Sequence, residues 1–541
     1  MPYALLWLES LAVSLLLVAL LAACVARLRS PGPSVTLFVL AVLAPLTVYG
    51  GLAGLVLYLA VGQSIAKSLF VPVAVLLGCY VVGVAAICVR GLRRRQAPIG
   101  RPAAAWPRGK LAVAFVAAAV VHAMTFWNLD LAARQRLGVL RTEAGALAMS
   151  VAPPRIPDRD NAAILYEQAF EQLGPSGGTF AGWDDAWERW LEPNAPPFEA
   201  DDPNVQAFLK RHAPTLRLLR AAAGKPGCYF DLGYHNPSVS MILPAFDQSR
   251  RAEKLLALSA RSRAAAGDLP GALQDVNALF VAGEHIGGGP LLIAVLVGIV
   301  IDAQACQTLA AVLPAGPLPA ETLAAVNVEA GVSYRRLLER ALRMEEAFRL
   351  SCFAAMDGRR GADDPIWGYA GFGEVAAPCY RVFMLNEDLA SHYRLSGLYS
   401  NLASQPYHKS KGEWATIEKE ICDGPIGLLT RILMPAISKA SERAAEGDAR
   451  RRVVRTALAA MRYRAQHGRL PEKLEDLVGK SLPIVPRDPF DGKPLRCKRT
   501  AGGLTIYSLG ADGTDDGGTP LHGKQRKGDI AFDVPGAATS R

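Results

Sequence analysis

The chain has 541 residues, 51% of them apolar, and a formal net charge of +10, so it has room for more than one domain. The apolar excess is concentrated before Leu131, which is typical of a membrane segment joined to a soluble region. Seven Lys and Arg residues, and no acidic residue, lie in the single stretch 90–110. A membrane-topology signal accounts for this charge, which argues against a nucleic-acid partner.

Four long apolar runs open the chain, at about 5–25, 35–61, 69–89 and 111–131, and each is long enough to cross a bilayer. The segments before and between them carry zero, two, one and seven Lys or Arg residues in order. Short basic loops stay in the cytoplasm. We therefore predict four spans in the bacterial inner (cytoplasmic) membrane, with the N-terminus and the large C-terminal region outside the cytoplasm.

The cysteines do not suggest a metal site. Six of the nine lie in the soluble region, at long and irregular spacings without a C-x-x-C pair, so zinc is not expected. Disulfides and buried thiols both remain compatible with this pattern. Cys24 ends a match to a lipoprotein cleavage box, but Glu9 and the absence of a basic start to the segment favour an uncleaved first span.

The middle of the chain has helical patterns. Residues 247–286 predict an antiparallel helical hairpin, with Gly267 ending the first helix and Asp268 capping the second. The apolar run 290–301 has only 12 residues, so a buried core helix is favoured over a fifth span. A further amphipathic helix is predicted over 333–356. Glu284-His285 is the one acid–base pair beside a flexible turn, and a helix end explains it without chemistry.

After residue 435 a helix is predicted up to His467, followed by strands at 495–499 and 504–509 and a third at 530–534. The pieces Leu470-Pro471, Asp488-Pro489-Phe490, Gly492-Lys493-Pro494 and 507–513 (YSLGADG) occur in this order. They resemble the C-terminal module of the major pseudopilin of bacterial type II secretion, over roughly the last 85 residues. The resemblance implies a helix covered by a small antiparallel sheet. The chain lacks a pseudopilin leader before this helix, so a pilus subunit is not expected.

An acidic turn lies within this module. Asp512, Asp515 and Asp516 fall within five residues, and clustered carboxylates repel one another unless a cation or solvent offsets their charge. The pseudopilin loop at this place binds calcium, and the resemblance carries that role to Asp512 and Asp516 and extends it to Asp515 and Asp529. An EF-hand is excluded because Gly523 stands where the last ligand should be. A solvated Asp/Gly turn is the alternative.

We therefore predict three parts: four membrane helices (1–131), a mainly α extracytoplasmic domain with helical hairpins (132–434) and a small α+β pseudopilin-like module (435–541). The motif H-E-x-x-H and a phosphate-binding glycine loop are missing, so no catalytic residue or cofactor other than calcium is predicted. An interaction or scaffold protein, in contact with the bilayer and with other envelope proteins, is the leading hypothesis. An envelope hydrolase with a site built from distant residues, and a small membrane sensor or transporter using His122, are the alternatives.

Overall fold

The structure is a computed structural model. It describes the chain from residue 108 onward, and side chains from residue 124 onward, with gaps; the described ranges are 108–174, 180, 182–192, 198–199, 202–237, 246–313, 318–324, 326, 328, 333–357, 376–424, 426–434, 437–500, 502–520 and 527–536. The first three predicted spans lie outside this range. The fourth overlaps a long helix whose first side chains are not described, so the described residues do not support a count of four spans.

Helices dominate the described residues. They are α1 Arg108–Val151, α2 Ala162–Gln172, α3 Pro203–Arg211, α4 Ala213–Ala223, α5 Phe246–Ala265, α6 Leu269–Gly287, α7 Leu292–Val312, α8 Ala320–Ala324, α9 Tyr334–Ala355, α10 Ala376–Phe383, α11 Leu385–Ser404, α12 Tyr407–Asp423, α13 Leu428–Leu433 and α14 Ile437–His467. Short 3-10 helices lie at Asp158–Asp160, Asp185–Trp190 and Leu474–Leu477. The predicted mainly α fold is confirmed.

Cα packing groups these elements into two compact units. The described part of the first comprises 108–138, 355–393 and 420–434, and the second comprises 139–354, 394–419 and 435–541. The residues predicted as a separate C-terminal module thus belong to the same compact unit as most of the helical middle. The three-part division stays a prediction.

The first unit is fixed by two buried carboxylates. Asp130 binds Arg381 through two hydrogen bonds, at 2.6 and 3.1 Å. Asp388 accepts from the backbone N–H groups of Leu429 and Thr430 at 2.8 and 2.9 Å, and from the Tyr380 hydroxyl at 2.8 Å. Asp388 thus satisfies the otherwise unpaired N–H groups at the start of α13 from a different helix.

In the second unit, α5, α6 and α7 form the centre of the main hydrophobic core. The predicted hairpin is present as α5 and α6: Gly267 adopts a φ of +82° between them, and the Asp268 side chain caps α6 by accepting from Gly271 N at 3.0 Å. The apolar run 290–301 is part of α7, which extends to Val312 and has 21 residues. The predicted length was wrong, because the helix continues through Asp302, Gln304 and Gln307.

Helix α7 is the one described helix that is long and apolar enough to span a membrane. Length and composition alone are weak evidence for a membrane span, because the core helix of a soluble protein passes the same test. Most of its residues are buried, and Asp302 within it is fully buried and bound to Arg451 on α14. A paired carboxylate and close packing against α5, α6 and α14 are typical of a core helix. These contacts agree with the prediction that this segment lies inside the soluble region.

The C-terminal sheet has three antiparallel strands in the order β1-β2-β3: Arg496–Thr500, Gly503–Ser508 and Ile530–Pro535. Its register pairs Arg496 with Tyr507 and Ser508 with Ile530. Leu504, Ile506, Phe532 and Val534 share one hydrophobic core with Val453 and Leu458 of α14 and with neighbouring side chains. The predicted antiparallel sheet is therefore confirmed, and it covers one side of α14.

Candidate functional site

A cleft of about 520 Å³ lies within the second unit, which is the size of a pocket for a small organic ligand. One wall is a face of α14. The others are the start of α9, the segment 403–408 between α11 and α12, and the loop 483–492 before the sheet. Four distant parts of the sequence thus meet in one concave surface.

The α14 wall follows directly from helix geometry. Ser441, Ala445, Asp448 and Arg452 line the cleft at spacings of four, three and four residues, with Ala444 beside them, which places them on one side of an α-helix. The opposite sides of α14 are buried against α7 and the sheet. The small side chains of Ser441, Ala444 and Ala445 leave open space in the cleft. The charged side chains of Asp448 and Arg452 lie further along the same face of α14.

The cleft carries more positive than negative charge, since five arginines, at 335, 451, 452, 455 and 487, line it with two aspartates. Arg451 is neutralised by Asp302 and Glu284 behind the wall. The Arg487 guanidinium donates to the Gly492 carbonyl at 2.8 Å, a bond that leaves its charge uncompensated. Half-buried Arg455 makes no hydrogen bond or ion pair with any residue that the structure describes.

Two further arginines connect the walls of the cleft through hydrogen bonds. Arg335 donates to the carbonyls of Ala403 and Ser404, the latter at 2.7 Å, and Glu339 lies 3.9 Å away. Arg452 donates to the Arg487 carbonyl at 2.7 Å. The first bond ties α9 to the 403–408 segment, and the second ties α14 to the 483–492 loop.

The two aspartates of the cleft, Asp448 and Asp488, stabilise its walls by accepting hydrogen bonds. Asp448 accepts from Tyr334 N at 2.7 Å and from Ser333 Oγ at 3.2 Å, so it caps the start of α9 from α14. Burial raises the pKa of the Asp448 carboxyl, while the Arg452 charge 3.6 Å away and these hydrogen bonds oppose that rise. Because its oxygens hold the α9 terminus, this carboxylate is not available as a base to a ligand.

Asp488 holds the loop wall in the same way. It accepts from the backbone N–H groups of Phe490 and Leu509, at 2.9 and 2.8 Å, and from Ser508 Oγ at 2.9 Å. Arg496 Nη1 donates at 3.2 Å to Asp488 Oδ2, the oxygen that also accepts from Leu509. Burial raises the pKa of the Asp488 carboxyl against these bonds. The Asp488-Pro489-Phe490 motif thus anchors the loop to the end of β2.

His408 stands at the edge of the same loop. Its backbone N–H donates to the Pro489 carbonyl at 3.2 Å, and its ring Nδ1 is buried without a hydrogen-bond partner among the described residues. Gly492 lets the ring approach: with a φ of +75°, a Cβ at this position would lie 2.8 Å from the imidazole. The His408 ring therefore packs against Gly492, and its Nδ1 atom makes no hydrogen bond to a described residue.

The predicted calcium residues lie around the loop between β2 and β3. Asp512 accepts from Thr514 N at 3.2 Å, and Asp515 is 3.1 Å from Arg496 Nε. Fully buried Asp529 accepts from Gly518 N at 2.7 Å, and its second oxygen is buried without a hydrogen-bond partner among the described residues. Burial and the neighbouring Asp515 and Asp516 charges raise the pKa of Asp529 against its hydrogen bonds.

These contacts fit a cation only in part. The Asp529 oxygen without a described partner is the kind of group that a cation would satisfy, whereas Asp515 already contacts Arg496, which it shares with Asp488 and Asp491. In the described residues, which omit 521–526 of this loop, no group of three or more His, Cys, Asp or Glu side chains is arranged to hold a metal ion. Calcium binding stays a prediction.

The Glu284-His285 pair divides between two environments. Glu284 binds Arg451. The His285 ring lies 3.2 Å from the Tyr166 hydroxyl, and burial lowers its pKa to about 4. The two side chains therefore do not act together as an acid–base pair. The side chain of His122 lies outside the described residues, and Cys228, Cys306, Cys352, Cys422 and Cys497 are free thiols.

Comparison of the chain with protein-family models, with curated proteins and with solved structures finds no match. The resemblance to the pseudopilin module stays a prediction, carried by the motif order. The cleft residues Arg335, His408, Arg455 and Arg487 were not identified from the sequence. The nearest signal was the run of arginines at 450–452 and 455, a pattern that most often marks a solvated helix face.

Proposed function

We propose that this is a membrane-anchored interaction protein of the bacterial inner membrane, and that its extracytoplasmic region recognises an anionic ligand in the arginine cleft. The observation that carries the proposal is Arg455, a half-buried arginine that has no hydrogen-bond or ion-pair partner among the described residues. It lies in a cleft whose two carboxylates are bound by other groups. A cationic group held away from bulk water by apolar walls attracts anions more strongly than one on an open surface. Recognition is favoured over hydrolysis because both cleft carboxylates are occupied by structural bonds.

The membrane anchor is proposed from the four apolar runs and the basic loop. Helix α1 adds support, since its 44 residues would extend about 66 Å and begin near the predicted fourth span. Met124, Trp127 and Leu131 on this helix are exposed, Trp127 by 71%, and they share one helical face. An exposed apolar face with a tryptophan, at the end of a predicted span, is typical of lipid contact near the membrane interface.

The orientation can be tested with reporter fusions. A reporter that is active only outside the cytoplasm should be active when fused after Arg541, because four spans return the chain to the outside. The same reporter inserted at Ala104 should be silent, because this position lies in the basic loop. The opposite pattern would place the cleft in the cytoplasm and would contradict the proposed compartment.

Ligand recognition can be tested on the full chain purified in detergent. Calorimetric titration with benzoate and with phenyl phosphate should give saturable binding of at least one of these anions. Arg455→Gln should weaken that binding about tenfold or more, because it removes a charged hydrogen-bond donor from a partly desolvated site. Arg469→Gln is the matched control, since Arg469 is exposed, pairs with Glu472 and lies outside the cleft.

Two results would contradict recognition at this cleft. One is an absence of binding by both anions; the other is an equal loss of affinity in Arg455→Gln and Arg469→Gln. The second result would show that overall charge, and not the cleft, attracts the ligand.

We also propose that the turn at 512–516 binds calcium with Asp529. Millimolar calcium should raise the melting temperature of the full chain, since an ion that binds only the folded state stabilises it, by about 2.7 kcal/mol at a hundred times the dissociation constant. Asp512→Ala with Asp516→Ala should abolish the rise. The control, Glu472→Ala with Glu475→Ala, removes two exposed carboxylates outside the turn and should keep it. An unchanged wild-type melting temperature would leave the turn as a solvated loop.

A further inference from the structure

We propose that the ligand of the arginine cleft is a phosphomonoester, a doubly charged phosphoryl group attached to a small apolar body. The inference rests on the proposed anion recognition and adds the chemical class. It follows from three features of the cleft: the number of uncompensated charges, the donors that surround the open space, and the apolar character of the remaining walls.

The charge balance favours a dianion. Arg451 is offset by Asp302 and Glu284, Asp448 lies 3.6 Å from Arg452, and Arg335 lies 3.9 Å from Glu339. Asp488 shares Arg496 with two carboxylates outside the cleft, Asp491 and Asp515. Arg455 and Arg487 remain, and neither has a carboxylate within ion-pair distance among the described residues. A monoanionic carboxylate would neutralise one of these two charges, whereas a phosphoryl dianion would neutralise both.

The donors are arranged on both sides of the open space. Arg452 and Arg455 are neighbours on one helical face, three residues apart, and Arg452 holds the Arg487 carbonyl at 2.7 Å. This bond keeps the loop that bears Arg487 beside the turn of α14 that bears Arg455. His408 lines the cleft beside the same loop. Guanidinium groups present several N–H donors in a fixed plane, which suits the oxygens of a phosphoryl group.

The rest of the surface is apolar. Its apolar lining includes Val328, Leu338, Pro406, Pro483, Ile484 and Pro486. Tyr407 adds an aromatic side chain, which packs edge-on against Phe490 with ring centroids 5.6 Å apart. A bare inorganic anion would leave these walls in contact with water. A cavity of about 520 Å³ instead fits a phosphoryl group together with a ring or short chain, which would bury apolar area against the proline-rich loop.

The test compares two ligands that share a ring and differ in their charged group. The full chain in detergent is titrated with phenyl phosphate and with benzoate at a pH where the phosphoryl group is a dianion. Phenyl phosphate should bind about tenfold or more tightly. Arg487→Gln and Arg455→Gln should each remove most of this preference, bringing the two affinities together, while Arg469→Gln should retain it.

The results separate the inference from the proposed function. Equal affinities, or tighter binding of benzoate, with dependence on Arg455 retained, would overturn the phosphomonoester and leave anion recognition in place. Binding of neither compound would overturn both. If inorganic phosphate binds as tightly as phenyl phosphate, the proposal that the ligand carries an apolar group is contradicted. Folding of the variants is checked by the melting temperature, and the more exposed Arg487 site serves if Arg455→Gln is unstable.

A soluble metabolite and a lipid headgroup share this chemistry, and a second comparison distinguishes them. The protein is reconstituted in phosphatidylcholine nanodiscs with and without phosphatidic acid. If the ligand is a lipid phosphate, phosphatidic acid should compete and reduce the apparent affinity for phenyl phosphate. If the ligand is soluble, the affinity should be unchanged. Either result supports a phosphomonoester and identifies its source.

Discussion

Replacing Asp302 by alanine should lower the free energy of unfolding by about 3–5 kcal/mol. Asp302 is fully buried in α7 and binds Arg451 of α14 through two hydrogen bonds, one of 2.9 Å between Oδ1 and Nη2. Without it, the buried guanidinium would keep Glu284 and the Phe280 carbonyl as partners. A buried charge that loses its main partner is destabilising because it has been removed from water without compensation.

The sign of the effect can be assigned with a double variant. Asp302→Leu together with Arg451→Met replaces the pair with apolar groups of similar size, and such replacements are often neutral or stabilising. The double variant should therefore be much more stable than Asp302→Ala in urea unfolding. Glu284→Gln, at a side chain that is 29% exposed, should cost less than Asp302→Ala because water can replace the lost partner. A double variant as unstable as Asp302→Ala would show that packing, and not the unpaired charge, determines the loss.

This ion pair also shows where inference from the sequence ends. The sequence predicted a helix over the apolar run 290–301, which ends just before Asp302. The partner of Asp302 lies 149 residues further along the chain. A single sequence records no signal for a contact at such a distance. The helix was therefore predicted to be too short, although its place inside the soluble region was predicted from its flanking residues.

Local signals were more informative. Asp268 as a helix cap, Gly267 as a helix end and the strands around 503 were predicted because each depends on a few neighbouring residues. The structure contains all three. The cleft depends instead on the meeting of α9, α14, the 403–408 segment and the 483–492 loop. Arg335, His408 and Arg487 each look like ordinary surface residues until that meeting is known.

Helix α14, the first element of the predicted C-terminal module, packs into the core of the second unit. Most of its residues are buried, against α7 on one side and the sheet on another. The tight packing favours a fixed structural role for this helix. The calcium prediction concerns the full chain, because the isolated module would expose the surface of α14 that packs against α7.

The second large effect is expected at the contact between α6 and α7. A Cβ added to Gly298 would lie 2.5 Å from the Gly287 Cα and 2.7 Å from the Gly283 carbonyl oxygen. Both are backbone atoms, so no side-chain rotation can relieve the clash, and the helices must separate. Gly298→Ala should therefore lower the free energy of unfolding by about 2–3 kcal/mol, since overpacking a rigid contact is destabilising.

The same substitution in an open helix should have the opposite sign. Gly412 lies in α12, and a Cβ there would meet nothing within 4 Å. Alanine is favoured over glycine inside a helix by about 0.5–1 kcal/mol, so Gly412→Ala should stabilise the protein by that amount. Urea unfolding of both variants measures the difference. Opposite signs would identify close approach of α6 and α7 as the reason for glycine at 298, because the chemical change is identical in the two helices. A stabilised Gly298→Ala variant would show that these helices have room to separate, and would contradict the tight α6–α7 contact.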